Sequence, residues 1–259
     1  MIRNLRELYQ YRALLWSLTL RELKARYRGS VLGFLWTFLN PTLLMVAYAL
    51  VFGVFMKSPT KHYVFFIFVG LLPWTFFSSS VGVGASSISD RRDLLTKVRF
   101  PPQVLPATVV ATNLCNYLLS MPLMFALGAY FEIWPSWHVA AYPVILGVQI
   151  LFTLALVYFV SALNVTFRDL QHILANVLTF WFFLTPILYA PTVIPARFRD
   201  AVLLLNPMAA VVTSYQAVFY DHHLPAGEPL AVVALESIIL LWLAALVFDR
   251  RREDFAELV

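Results

Sequence analysis

The sequence predicts an all-α integral membrane protein. It has six transmembrane helices, an N-terminal amphipathic interfacial helix, two short re-entrant outer helices before the last span, and both termini cytoplasmic. Three observations predict this. The 259-residue chain is 61% hydrophobic and 13% charged, against about a quarter charged in an average soluble domain. Its charges are clustered, leaving 29–56, 62–89, 100–131, 133–167, 170–196 and 201–220 without Asp, Glu, Lys or Arg. Of its 19 Lys and Arg, fifteen fall in 1–28, 90–99, 166–171 and 249–259, and four in 57–61, 132–138 and 190–229. Positive residues stay on the cytoplasmic side. A crossing needs roughly 20 apolar residues, so residues 1–259 read as one transmembrane domain. Spans one to five occupy 32–189, at 32–56, 63–84, 104–131, 139–165 and 172–189, and span six is 230–248.

The elements follow in order. Residues 1–28 carry seven Arg and Lys and no continuous apolar core, so they are not a signal peptide. Trp16, Leu20, Leu23 and Tyr27 share one helical face, with Arg21, Lys24 and Arg28 beside it, the pattern of a helix lying in the membrane interface. Gly29-Ser-Val-Leu-Gly33 then fits either small-xxx-small packing or a flexible corner into the first span. Between spans two and three, "RRDLLTKVRFPP" (91–102) places Leu94, Leu95 and Val98 on one side of a short helix and Arg91, Arg92 and Lys97 on others. Pro101-Pro102 ends it, and such a helix suits a groove on a soluble partner. Arg168-Asp169 in "NVTFRDL" is a second, smaller contact on the same side. Pro186 is the favoured hinge among the prolines near the spans. The run 201–220 is long enough to cross, but Asn206-Pro207 breaks it and Thr213, Ser214 and Gln216 make its second half polar. It therefore reads as two short helices dipping back from the outer surface, tolerated where protein or a wet cavity covers them.

The chain offers little chemistry. A phosphate loop needs Gly-Lys beside Ser or Thr, and no Gly-Lys occurs. No His, Cys, Asp and Glu cluster has metal-site spacing, and the densest group, Asp221-His222-His223, reads as a solvated outer loop. Cys115, the single cysteine, precludes an internal disulfide. Glu236 is the one acid deep in a span, a thin basis for ion coupling. The reading is a membrane path whose energy is supplied by another subunit.

Six stretches, "RYRGSVLGFLWTFLNP" (26–41), "GLLPWTFFSSS" (70–80), "LLTKVRFPP" (94–102), "NVTFRDL" (164–170), "FWFFLTPILY" (180–189) and "LLNPM" (204–208), resemble in order and spacing the permease subunit of type-2 ABC exporters for cell-surface polysaccharides. The resemblance covers about residues 12–250. It implies a homodimer with two separate ATP-binding cassette subunits that hold ATP and Mg, so this chain binds no cofactor and no nucleic acid. It implies a bacterial inner-membrane location and a substrate of O-antigen, capsule or teichoic-acid type on undecaprenyl diphosphate. Coupling and gating would rest on Arg91, Arg92, Asp93, Leu94, Leu95, Lys97, Arg99 and Phe100, with Arg168 and Asp169. The cations of 91–99 are also placed to meet the diphosphate. Aromatic faces suit sugar C–H groups, and Tyr63, Phe66, Trp74, Phe77, Trp181, Phe183 and Tyr189 are the candidates for the path. Asn206, Pro207 and Tyr215 would form the outer gate. The alternatives are an ion-coupled or passive transporter or flippase acting without an ATPase, and a membrane enzyme on lipid-linked sugars.

Overall fold

The computed structural model describes residues 2–91, 100–167 and 169–250. Every regular element among them is helical. Two helices, α1 (Ile2–Gln10) and α2 (Arg12–Tyr27), open the chain. Leu14, Leu15 and Leu18 of α2 pack with Val104, Leu105 and Phe100, and Thr19 is buried beside them in the chain. Trp16 and Leu20, from the expected apolar face, stay exposed. Gly29 (φ 78°) and Gly33 (φ 45°) both adopt left-handed backbone, which glycine takes without a Cβ penalty. A Cβ at either would meet open space, so within this chain the two glycines make a corner and not a packing seam.

The first crossing runs Gly33–Phe55, with α3 (Trp36–Tyr48) at its centre and a π-helical stretch, Ala49–Phe55, at its end. Pro41 lies inside α3 and has no N–H for the Thr37 carbonyl. Ser120 Oγ lies 3.3 Å from that carbonyl, although its one proton goes mainly to the nearer Asn116 carbonyl at 2.9 Å. Helix α4 (Tyr63–Ala85) is the central pillar, almost wholly buried from Tyr63 to Trp74 and more open along Thr75, Ser78, Ser79 and Gly82, which is why its first half is apolar all round. At Gly84 α4 approaches a neighbouring helix closely: a Cβ there would lie 2.5 Å from Val157 Cγ1. Helices α5 (Val104–Tyr130) and α6 (Tyr142–Asn164) flank it. The last helix, α10 (Gly227–Arg250), lies along α6. Ala155 and Ala162 there meet Leu241, Ala244 and Phe248. Small residues let helix backbones approach closely in a bilayer.

Five helices among the described residues are long and apolar enough to cross: Gly33–Phe55, Tyr63–Ala85, Val104–Tyr130, Trp137–Asn164 and Gly227–Phe248. The fifth expected span, 172–189, is shorter as a helix: α7 is Leu170–Leu184, about 22 Å long at 1.5 Å per residue. Pro186 sets its end, because the residue before a proline is pushed out of the α region. Thr185 is accordingly extended, with ψ 132°. The chain then continues non-helically to Leu188, whose carbonyl accepts a 2.6 Å bond from Tyr63 Oη. The expected break is present: α8 (Ala196–Leu205) and α9 (Pro207–Phe219) are two short helices bent by 101° at Asn206. Tyr220 Oη donates to the Lys61 carbonyl at 2.6 Å, and the His62 and Phe131 rings meet at 5.3 Å. These contacts gather the three Lys- and Arg-poor connections at one end of the bundle.

Candidate functional site

One side chain holds the bend between α8 and α9 against the end of α7. Asn206 Oδ1 accepts the Trp181 indole N–H at 2.7 Å and the Ala209 backbone N–H at 3.1 Å. Its Nδ2 donates to the Leu184 carbonyl at 3.3 Å and to Thr185 Oγ1 at 3.2 Å. Asn206 thus caps the first turn of α9 and satisfies a carbonyl left open at the end of α7. Pro207 follows at the first helical position, where a missing N–H costs nothing. An apolar groove of about 700 Å³ runs between α7 and α8, lined by Phe180, Trp181, Phe198, Leu205, Asn206 and Pro207 among others. It brings Trp181 together with Asn206 and Pro207.

Tyr215, also expected at the outer gate, lies in the interior. Its hydroxyl donates to Gln149 Oε1 at 2.7 Å, and Gln149 Nε2 donates to the Pro73 carbonyl at 2.8 Å. Next to it, Gln216 Nε2 donates to the Pro186 carbonyl at 3.0 Å. These bonds join α9 to α6, to α4 and to the chain after α7. Gln149 is a residue that the aromatic and charge patterns missed. The signal was present, an amide in the middle of a charge-free span, where an unpaired polar group is expensive.

The expected path aromatics fall into two groups. Trp74, Phe77 and Trp181 form one cluster with Phe152 and Phe182, the Phe77 and Trp181 rings meeting edge to face at 5.2 Å. Tyr63 stacks on Phe66 at 6.3 Å. Phe66, Trp74 and Phe77 are buried, Trp181 and Tyr189 are half-buried, and Phe183 is exposed. Tyr189 Oη donates to the Phe183 carbonyl at 3.0 Å.

At the opposite end, Arg91 forms an ion pair with Glu22 of α2. The interfacial helix is therefore tied to the start of the expected coupling loop. Phe100 packs beside Leu18 and Leu105. Asp169 is exposed, and its carbonyl accepts the N–H groups of His172 and Ile173 at the start of α7. Arg92, Asp93, Leu94, Leu95, Lys97, Arg99 and Arg168 lie outside the described residues. On the Lys-poor end, burial pushes the Asp221 carboxyl above the usual carboxylate range, while the His223 and His222 imidazoles pull it back. Asp221 and His223 are 3.9 Å apart.

Comparison with known proteins fits this architecture. The family model described as ABC-2 type transporter matches residues 13–220. The chain is 62% identical over 258 residues, 99% of both chains, to the O-antigen export system permease protein RfbA of Myxococcus xanthus. It is 31% identical, over 93% of both chains, to a protein of the same name from Klebsiella pneumoniae. It is 24% identical to the polysialic acid transport protein KpsM of Escherichia coli, over 92% of this chain and 93% of that one.

Proposed function

The chain belongs to the ABC-2 type transporter family, and on that premise we propose that it passes a lipid-linked polysaccharide of O-antigen or capsule type outward. It is the permease subunit of an ATP-driven exporter, a multi-pass protein of the bacterial inner membrane, and not itself a catalytic enzyme. ATP-binding partner subunits supply the work, and ATP and Mg belong to them. The observation that carries the reading is the 62% identity, across 99% of both chains, to an O-antigen export permease. The permease and transport names of the relatives favour it over a carrier acting alone.

The geometry supports the following mechanism. The Lys- and Arg-rich end faces the cytosol, so α1, α2 and the connection after α4 meet the partner subunits. Closure of those subunits on ATP pushes on residues 90–100. The Arg91–Glu22 pair passes that displacement to α2, and the packing of Leu18 on Val104 and Leu105 passes it to α5. Rigid-body movement of packed helices of this kind is a common switching mode. Two copies of the chain enclose the path, with the exposed Phe180 and Phe183 of α7 turned toward it. At the outer end α8 and α9, hinged at Asn206, form the gate.

Expressed with candidate ATPase genes and purified in mild detergent, the chain co-elutes with an ATP-binding subunit at equal stoichiometry, in a particle holding two copies of each. Elution as a lone species beside every candidate ATPase, while still restoring surface glycan to a deletion strain, contradicts the reading.

A further inference from the structure

A second cavity, of about 310 Å³, lies between α2, α3, α4 and α5. It is at the small end of ligand pockets, roughly 300–1,000 Å³, so it suits a headgroup and not a polymer. Ser79 in its wall is about 24 Å along α4 from the Lys-poor end, at 1.5 Å per residue. Leu72, also in its wall, is about 14 Å along the same helix, so against a hydrocarbon core of about 30 Å the cavity runs from near the inner leaflet's polar boundary toward the bilayer middle.

Its donors are unusual for that depth. Both Nη atoms of Arg26 lie 3.4 Å from Asn113 Oδ1. No carboxylate is among the residues lining the cavity. Arg91 is different, because Glu22 neutralises it one turn away along α2. Asn113 is 4% exposed, and its Nδ2 has no hydrogen-bond partner in the structure. A buried donor without a partner is costly unless a ligand takes it. Acceptors are at hand as well. The Thr75 hydroxyl donates to the Leu71 carbonyl and the Ser120 hydroxyl to the Asn116 carbonyl, which leaves their oxygen lone pairs open. Trp36 and Tyr117 add ring faces to the walls. A guanidinium suits a phosphate. Mixed amide donors and hydroxyl acceptors beside flat rings suit a sugar. Beyond the rim, Leu43, Leu44, Val46 and Leu50 of the first crossing are exposed, an apolar track for a lipid tail.

We propose that this cavity docks the phosphate and adjoining sugar of an inner-leaflet lipid-linked glycan. Arg26 holds the phosphate, the Asn113 amide and the Thr75 and Ser120 oxygens hold sugar hydroxyls, and the tail leaves along α3. The proposal rests on the permease reading and adds a loading site distinct from the charged loop 91–99.

The test uses the permease–ATPase complex in phosphatidylcholine nanodiscs. The probe is farnesyl diphosphate carrying one N-acetylglucosamine, with farnesyl diphosphate and phosphatidylglycerol as comparators. The sugar-bearing probe binds the native complex about tenfold more tightly than the sugar-free one, and phosphatidylglycerol does not displace it. Arg26→Gln and the near-isosteric Asn113→Asp, which sets a carboxylate against Arg26, each weaken probe binding by about tenfold or more. Arg21→Gln, an exposed charge on the same helix, leaves it unchanged. Thermal unfolding of each variant shows that the complex is intact. Native affinity in both Arg26→Gln and Asn113→Asp overturns the site and leaves the permease reading standing. Displacement by phosphatidylglycerol, or equal affinity for the sugar-free probe, overturns the assigned ligand. A native complex that binds neither diphosphate probe overturns the site and leaves the family assignment standing on sequence identity.

Discussion

Asn206→Leu abolishes export and destabilises the protein by about 3 kcal/mol. The substitution keeps the number and branching of side-chain heavy atoms, though leucine is bulkier, and removes four hydrogen bonds at once. Loss of an N-terminal cap costs about 0.5–2 kcal/mol, and an interhelical bond within a bilayer about 0.6–1.7 kcal/mol. The Trp181 indole N–H and the Leu184 carbonyl would be stranded where little water reaches them, and an unmet buried group costs about 1–3 kcal/mol. These terms overlap, which is why the expected total is below their sum. Asn206→Asp keeps the acceptor for Trp181 and Ala209 and loses both donors, so it should retain partial export. Thermal unfolding in detergent, read beside surface glycan in a complemented deletion strain, measures both effects. The expected loss in Tm for the leucine variant is about 10 °C, taking roughly 2–4 °C per kcal/mol. A leucine variant with native Tm and native export would remove Asn206 from the gate.

The second large effect separates two glycines on one helix. Gly84→Ala drives a methyl group to 2.5 Å from Val157 Cγ1, in a contact where both residues are buried. Overpacking of this kind costs about 1–3 kcal/mol, and a leucine at the same place more. The offending atoms are the two Val157 methyls, at 2.5 and 3.3 Å, whereas Val157 Cβ is 3.4 Å away. Val157→Ala removes both methyls, so Gly84→Ala with Val157→Ala recovers most of the stability. Gly82→Ala meets nothing within 4 Å and gains up to about 1 kcal/mol of helix propensity. Yield of folded complex and its Tm should therefore rank Gly82→Ala at or above the native chain, Gly84→Ala well below, and the double variant between them. A double variant no better than Gly84→Ala alone would place the strain elsewhere.

Much of this architecture was legible in the sequence because the bilayer imposes simple rules. Charge-free runs located the crossings to within a few residues, and Asn206-Pro207 located the break between α8 and α9. The end of the fifth crossing was misjudged because the apolar run continues to Tyr189. Pro186, favoured as a hinge just after the aromatic run, stops the helix at Leu184 through its effect on Thr185. Orientation about each helix axis was not legible. In the first half of α4, where Phe66 and Trp74 both face protein, every face is apolar and no periodicity separates core from path. Gln149 and Asn113 could have been singled out as amides within spans. Their partners, Tyr215 and Arg26, lie 66 and 87 residues away in the chain, a pairing that spacing along one sequence does not reveal.

The central claim is that this chain is a passage whose motor resides in another polypeptide. The most direct measurement is reconstitution into sealed liposomes holding a fluorescent diphosphate-linked glycan in the nucleotide-accessible leaflet. The permease–ATPase complex moves the glycan across only while ATP is hydrolysed, and the permease alone moves none. Transport by the permease alone, without nucleotide and at the rate of the complex, would contradict the account.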